Sequence, residues 1–109
     1  MFRKIVNWYR IAESPEALNW QDNDIAIAEV NGKKICMAKY RDQYHAFAYT
    51  CPHASGTLAS GWIDPLGNVV CPLHRYKFNI TNGRNTSGEG YYLKTYTVRI
   101  DENGVFVEM

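Results

Sequence analysis

Cys51-Pro52-His53 and Cys71-Pro72-Leu73-His74 are two short segments, each of which combines one thiol with one imidazole. Between them, Pro65-Leu66-Gly67-Asn68 has the composition of a turn. A turn in the middle of this interval predicts a hairpin that brings the two segments together. Thiolate sulfur and imidazole nitrogen are both ligands of zinc and iron, so the sequence predicts a metal site where the segments meet.

The pattern C-x-H followed by C-x-x-H resembles the signature of Rieske iron–sulfur proteins, whose 2Fe-2S cluster has two cysteines on one iron and two histidines on the other. The resemblance extends beyond these motifs. Small soluble Rieske ferredoxins carry similar residues at the positions of Ser60-Gly61-Trp62, Phe78 and Leu93-x-x-Tyr96-x-Val98. It covers nearly the whole chain and is weakest before residue 20.

The resemblance implies that four residues bind one 2Fe-2S cluster per chain. Cys51 and Cys71 are expected to be thiolate ligands of the buried iron, and His53 and His74 imidazole ligands of the outer iron. Two neutral imidazoles in place of two thiolates leave the centre less negative, so an added electron is easier to accommodate. Rieske centres accordingly have potentials of about −150 to +300 mV, compared with about −400 mV for plant-type ferredoxins.

A structural zinc site is the alternative reading of the same residues, because two cysteines and two histidines also suit tetrahedral zinc. Structural zinc ligands usually come as a pair of cysteines followed by a pair of histidines. Here each segment holds one of each, and a single residue separates Cys51 from His53. This spacing favours the cluster.

The rest of the chain is predicted to be all-β. Alternating side chains and turn signals predict strands at residues 2–11, Asp24–Val30, Lys33–Tyr40, Gln43–Tyr49, Gly61–Ile63, Asn68–Val70, Tyr76–Ile80, Tyr91–Ile100 and Val105–Val107. Asn31-Gly32 and Asn103-Gly104 predict type I′ hairpin turns, which need positive φ at both central residues. Ser14-Pro15 predicts the start of a short helix or turn with Ser14 at the N-cap.

These elements predict one Rieske domain over residues 1–109, with antiparallel sheets forming an incomplete barrel or a sandwich. Three strands between residues 24 and 49 form a meander that ends at Cys51, and a small cluster-binding subdomain of about residues 50–80 is inserted in the larger sheet. In the family, a proline-containing loop covers the cluster from the other side. Residues 83–90 form this loop here, but no proline follows Pro72. The cover is therefore either more mobile or built differently.

Length and charge exclude several classes of protein. The 109 residues suffice for one domain with its own core and leave no room for a second. A net charge of +1 without a basic run argues against a nucleic-acid-binding surface. No stretch approaches the roughly 20 apolar residues of a membrane-spanning helix, and residues 1–10 do not resemble a signal peptide. The expected location is the cytoplasm, without membrane attachment.

Two further residues are candidates for chemistry, and neither is expected to bind metal. Cys36 lies in the apolar run Ile35-Cys36-Met37-Ala38 and is interpreted as a packing residue rather than a reactive thiol. His45 has no cysteine or carboxylate beside it on its strand, so it is interpreted as a surface or hydrogen-bonded histidine. A Rieske oxygenase also needs a mononuclear iron site with two histidines and a carboxylate. With His53 and His74 assigned to the cluster, the chain lacks the residues and the length for that site.

Tyr76 and Phe78 occupy the positions where high-potential Rieske proteins carry a serine and a tyrosine that donate hydrogen bonds to the cluster sulfurs. Phe78 has no donor, and Tyr76 is too large to imitate serine. The alternative, two aromatic residues of the core, is compatible with this. Gly56 and Leu73 stand where respiratory Rieske proteins place a disulfide, so that link between the loops is not expected here. The chain therefore resembles the low-potential ferredoxins of aromatic-ring dioxygenases.

The resemblance implies a one-electron carrier, not an enzyme, that works between a flavin-dependent reductase and a terminal oxygenase or other redox enzyme. A small accessory subunit of a nitrite-reductase-type enzyme is a second hypothesis, and a zinc-stabilised interaction module is a third. Visible and electron paramagnetic resonance (EPR) spectra distinguish cluster from zinc. Co-purification distinguishes a free carrier from a subunit.

Overall fold

The computed structural model describes residues 7–53, 56–88 and 90–109 and contains ten β-strands in these ranges. The strands are β1 (Trp8–Ala12), β2 (Ile25–Val30), β3 (Lys33–Tyr40), β4 (Gln43–Ala48), β5 (Trp62–Ile63), β6 (Asn68–Val70), β7 (Lys77–Asn79), β8 (Thr95–Tyr96), β9 (Val98–Asp101) and β10 (Gly104–Glu108). Two single 3-10 turns, Pro15–Ala17 and Leu58–Ser60, are the only helical elements in the described part of the chain. The prediction of an all-β fold is confirmed.

Three antiparallel sheets make up the fold. The terminal sheet has the order β1-β10-β9, the meander sheet β2-β3-β4-β8 and the hairpin sheet β5-β6-β7. None of them closes into a barrel within the described ranges. Strands β5 and β6 of the hairpin sheet lie between the two metal-site segments in the sequence, as the turn at residues 65–68 predicts, and β7 follows the second segment.

The meander sheet separates two hydrophobic cores. Successive residues of a strand point to opposite faces, so a strand buried on both sides is apolar throughout. In β3, Ile35 and Met37 belong to one core, whereas Cys36 and Ala38 belong to the other. The first core is shared with the terminal sheet, and the second with the hairpin sheet and the metal-site segments.

The turn between β2 and β3 matches its prediction. Asn31 and Gly32 have φ angles of 51° and 80°, so both central residues are in the left-handed region that a type I′ turn requires. The register then pairs Val30 with Lys33 and Ile25 with Ala38. This hairpin and its continuation into β4 give the first metal-site segment a fixed starting point.

Two predictions for the C-terminal part are wrong. Residues 91–100 do not form one strand, because β8 pairs with β4 in the meander sheet and β9 pairs with β10 in the terminal sheet. The chain changes sheets at Thr97, which joins the two sheets around their common core. The second turn is also not type I′. Asn103 has no positive φ, and its N–H donates to Asp101 Oδ1 at 2.8 Å, so the aspartate side chain shapes the turn instead.

The N-terminal predictions are confirmed where the structure describes them. The predicted strand over residues 2–11 corresponds to β1, and its first residues, 2–6, lie outside the described ranges. Pro15 opens a 3-10 turn with Ser14 at its N-cap, although the Ser14 side chain makes no capping hydrogen bond. No helix in the described ranges is long and apolar enough to cross a membrane.

Candidate metal centre

Each metal-site segment forms a loop that a backbone hydrogen bond closes. In the first ligand loop, residues 51–56, the Cys51 N–H donates to the Gly56 carbonyl at 2.9 Å. In the second ligand loop, residues 71–76, the Cys71 N–H donates to the Tyr76 carbonyl at 2.8 Å. Residues 54 and 55 of the first loop lie outside the described ranges. Both loops are therefore closed by the same kind of backbone hydrogen bond.

Three of the four predicted ligands converge. One ligand atom each of Cys51, His53 and Cys71 lies within 4.8 Å of the others. Cys51 Sγ and His53 Nδ1 are 2.9 Å apart, which is hydrogen-bond distance. Both cysteines are buried and belong to the core beneath the hairpin sheet, whereas His53 is half-buried above them. The sulfurs thus point inward and the imidazole outward, which is the arrangement expected for a mixed-ligand centre.

His74 lies beside this group but outside the 4.8 Å limit that encloses the other three. Its ring centroid is 5.8 Å from that of His53, with an angle of 71° between the planes, and its side chain is exposed. His74 and Arg75 have φ angles of 62° and 56°. Two consecutive non-glycine residues in the left-handed region cost about 1–2 kcal/mol each, and such strain concentrates at functional sites. The backbone therefore holds the second imidazole at the tip of its loop.

The two ligand loops touch at Gly56 and Leu73. A Cβ atom on Gly56 would lie 2.8 Å from Leu73 Cδ1 and 3.4 Å from Cys71 Sγ. These are the positions at which the resemblance had placed the missing disulfide. Packing of the leucine side chain against a glycine takes the place of a covalent link, and a larger residue at position 56 would separate the loops.

The surroundings of the sulfurs fit a metal centre. Burial raises the pKa of the Cys71 thiol to about 11, the neighbouring Cys51 acts in the same direction, and a hydrogen bond from the Leu73 N–H acts against them. A buried thiol of this kind ionises when a metal ion compensates the charge of the thiolate. The Leu73 N–H, in the turn after Pro72, thus points at the Cys71 sulfur.

Two aromatic rings lie beside the His53 imidazole, and only one of these contacts has a signal in the sequence. The ring of Tyr76 lies with its centroid 3.5 Å from that of the imidazole, and the Tyr91 ring is 5.9 Å from it. The Tyr76 contact has a signal in the sequence, since Tyr76 follows His74 by two residues. Tyr91 has none, because its position depends on the path of the loop before it.

Two features of the hairpin sheet, one polar and one of packing, were also missed. Asp64 accepts hydrogen bonds from the N–H groups of Leu66 and Asn68, both at 2.9 Å, and from the Asn68 side chain at 3.1 Å. These hydrogen bonds organise the hairpin turn around the Asp64 carboxylate. Gly61 is required by packing, because a Cβ there would lie 2.0 Å from the Val70 carbonyl oxygen.

The remaining candidates lie away from the ligand loops or in the core. Phe78 is fully buried in the core that contains both ligand cysteines. Cys36 is fully buried as well, and burial raises the pKa of its thiol to about 12, which confirms its interpretation as a packing residue. His45 is half-buried on β4, where burial lowers the pKa of its imidazole.

The fold and this centre define an iron–sulfur domain of one family. The family model of the Rieske 2Fe-2S domain matches residues 7–96, and the chain belongs to this family. Its cofactor is a 2Fe-2S cluster, for which Cys51, His53 and Cys71 form a possible ligand group. The buried sulfurs and the half-buried imidazole suit this cofactor chemically.

Known proteins are similar to this chain in sequence or in fold. The ferredoxin component of the naphthalene 1,2-dioxygenase and salicylate 5-hydroxylase systems of a Ralstonia species is 26% identical over 81% of this chain and 85% of its own length. A ferredoxin solved in complex with the oxygenase of carbazole 1,9a-dioxygenase has a TM-score of 0.75 at 24% identity, over 92% and 91% of the two chains. A protein assigned as the small subunit of an NADH-dependent nitrite reductase from Mycobacterium tuberculosis has a TM-score of 0.79 at 16% identity, over 97% of each chain.

Proposed function

We propose that this protein is a one-electron carrier that accepts an electron from a reductase and delivers it to a terminal oxygenase or another redox enzyme. The observation that carries the proposal is the convergence of Cys51, His53 and Cys71 in a chain of the Rieske family. The bound 2Fe-2S cluster supplies the one-electron chemistry. The protein supplies the ligands, excludes water from the sulfurs and presents an imidazole to the partner.

The proposed ligands are Cys51 and Cys71 on the inner iron and His53 and His74 on the outer iron. The buried position of the cysteines and the outward position of the histidines support this division. The left-handed backbone at His74 and Arg75 supports His74 as the fourth ligand, because strain of this kind persists where function requires it. One Rieske domain over residues 1–109, with a cluster-binding unit of about residues 50–80, is the organisation that accompanies this assignment.

The absence of enzymatic activity is part of the proposal. Relatives such as the Ralstonia protein are named as ferredoxin components of oxygenase systems. We therefore assign the terminal reaction to a partner and only electron transfer to this chain. Its cysteine usage and composition support a soluble carrier in the cytoplasm.

We also propose a potential at the low end of the Rieske range of about −150 to +300 mV. Phe78, at a position where a hydroxyl would stabilise the reduced cluster, is an apolar residue of the core. Fewer donors to the sulfurs leave the added negative charge less stabilised.

Iron and sulfide analysis with spectroscopy tests the proposal. Purified protein should contain iron and acid-labile sulfide in equal amounts, about two of each per chain. The reduced protein should give an EPR signal with nitrogen couplings from two histidines. One zinc per chain, without visible absorbance, would refute the carrier and favour the zinc-stabilised interaction module.

A subunit of a nitrite-reductase-type enzyme is the second candidate function. The nitrite reductase small subunit shares the fold at a TM-score of 0.79, but its 16% identity supports the fold alone. Purification from the native source distinguishes the two candidates. A free carrier elutes as a small protein, whereas a subunit elutes with a large enzyme that reduces nitrite.

A further inference from the structure

The two histidines of the ligand loops have unequal surroundings. His53 is half-buried, and its Nε2 atom is inaccessible to water. The Tyr76 ring lies against it with centroids 3.5 Å apart and an angle of 34° between the planes. His74 is exposed, and its ring centroid is 6.5 Å from that of Tyr76. Aromatic cover is therefore concentrated on one of the two imidazoles.

Tyr91 adds a second ring to this cover. Its centroid is 6.2 Å from that of Tyr76, the two rings are stacked at 30°, and it lies 5.9 Å from the His53 ring. Aromatic pairs at such separations attract each other by about 0.5–1.5 kcal/mol beyond the burial of their area. The three rings thus form one group over the first ligand loop.

The backbone fixes both tyrosines. The Tyr76 carbonyl closes the second ligand loop by accepting from the Cys71 N–H. Tyr91 is followed by buried Leu93, whose N–H donates to the Gly83 carbonyl at 2.8 Å. This hydrogen bond anchors the chain two residues after Tyr91, whose ring centroid lies 5.9 Å from that of His53.

We propose that Tyr76 and Tyr91 form an aromatic screen that excludes water from the His53 side of the centre and leaves His74 as the imidazole open to solvent and partner. This inference rests on the proposed ligand set and deepens it. Both tyrosines are positioning residues, because they act on the imidazole of His53. In the family, a proline-containing loop covers the cluster. This chain has no proline after Pro72, and two aromatic side chains provide the cover instead.

The screen has a definite electrostatic consequence. Reduction adds one negative charge, and water stabilises a charge better than an aromatic environment does. Water exclusion on the His53 side therefore disfavours the reduced form and lowers the midpoint potential. The hydrophobic shell around a metal site controls solvent access and redox potential in this way.

Tyr91→Ala and Tyr76→Leu test the screen in the cluster-loaded protein. Tyr91 is 45% exposed, so its truncation removes little packing, and leucine retains bulk at the half-buried position 76. Tyr91→Phe keeps the ring, and Tyr92→Ala removes a neighbouring ring that is 67% exposed. The readouts are deuterium modulation in pulsed EPR after transfer to heavy water and the midpoint potential by protein-film voltammetry.

We expect both Tyr91→Ala and Tyr76→Leu to increase the deuterium modulation. They should also shift the one-electron equilibrium toward the reduced form by up to about tenfold, which is about 59 mV. Tyr91→Phe and Tyr92→Ala should match the wild type in both measurements. One result would overturn the screen alone: the wild type shows nitrogen couplings from two histidines, but Tyr91→Ala and Tyr76→Leu give the same modulation and potential as Tyr92→Ala. A wild type without such couplings would overturn the ligand set, and the screen with it.

Discussion

In the first ligand loop the Cys51 backbone N–H donates to the Gly56 carbonyl, and in the second the Cys71 backbone N–H donates to the Tyr76 carbonyl. The closure is the same, but the two loops are held by different parts of the molecule. The first continues directly from the meander sheet, and the Leu58 N–H donates back to the Tyr49 carbonyl at 2.8 Å. The second is carried by β6 and β7 of the hairpin sheet. A centre shared by both loops therefore depends on two supports that can be disturbed separately.

The imidazoles differ as well. His53 is covered by aromatic rings, whereas His74 is exposed on a left-handed backbone. The first loop thus gives its histidine a protected environment, and the second gives its histidine access. The two loops therefore differ in the solvent access of their histidines, and substitutions in one loop can be compared with substitutions in the other.

The largest effect is expected from His74→Ala. If His74 is the fourth ligand, this variant should retain less than about a tenth of the iron and sulfide, because a cluster with an open iron site is lost. The measurement is iron and sulfide content with visible absorbance. His45→Ala is the control, since His45 lies on β4, outside the ligand loops. Full cluster content in His74→Ala would show that the second loop supplies only Cys71.

Gly61→Ala should disturb the second loop through its support. The new Cβ would lie 2.0 Å from the Val70 carbonyl oxygen, immediately before Cys71, so β5 and β6 would have to separate. We expect a loss of about 3 kcal/mol and a fall of roughly 10–20 °C in the thermal unfolding midpoint of the cluster-loaded protein. Gly90→Ala, where a Cβ meets nothing within 4 Å, is the matched control and should be near neutral. Equal midpoints for the two variants would contradict the close approach.

The contact between the loops can be measured with Gly56→Ala and Leu73→Ala. The Cβ at position 56 would press on Leu73 Cδ1 at 2.8 Å, so Gly56→Ala should cost about 1–2 kcal/mol. Leu73→Ala removes the obstructing atom. The double variant should therefore be more stable than the sum of the single effects by about 1 kcal/mol. Strict additivity in unfolding experiments would mean that the loops do not touch at this point.

The parts of this fold that could be predicted from the sequence depend on local signals. Asn31-Gly32 defines a hairpin because its backbone requirement is local, and the spacing of cysteine and histidine identifies the ligand loops for the same reason. The change of sheet at Thr97 could not be predicted, because the residues around it alternate as in one continuous strand. The change of sheet depends on which neighbouring strand is available to pair with β8 and which with β9, and the whole fold determines that.

The ligand set shows the same limit. The structure brings three of the predicted ligands together and leaves His74 at their edge, held by positive φ angles at His74 and Arg75. Arginine does not favour that conformation, and histidine, although enriched in it among non-glycine residues, adopts it only occasionally, so the sequence does not identify the pair. Tyr91 escaped notice for a related reason. An exposed aromatic residue after a polar loop has many possible contacts. The hydrogen bond from the Leu93 N–H to the Gly83 carbonyl restricts where the Tyr91 ring can lie.

Asp64 gives the smallest expected effect, which depends on pH. Burial raises the pKa of its carboxyl, but hydrogen bonds from Asn68 and Leu66 and the charge of Lys77 outweigh this, and the net pKa is lowered. The folded protein therefore binds this proton less readily than the unfolded chain does. The stability that the carboxylate contributes is fully present above the unfolded pKa of about 3.9 and is lost as the pH falls through the lower folded pKa.

Asp64→Asn should consequently be less stable than the wild type by about 1 kcal/mol at pH 7, since hydrogen bonds to a charged acceptor are replaced by bonds to a neutral one. Over the range from pH 6 to 3 the difference should shrink only below about pH 3.9, because protonation of Asp64 then favours the unfolded chain. Unfolding midpoints across this range provide the measurement, and Asp22→Asn, at an exposed position outside the turn, provides the control. Because Asp64 lies in the turn of the hairpin sheet, the same acid range should weaken the support of the second ligand loop before that of the first. A difference between wild type and Asp64→Asn that stays constant down to pH 3 would show that the carboxylate charge does not stabilise this turn.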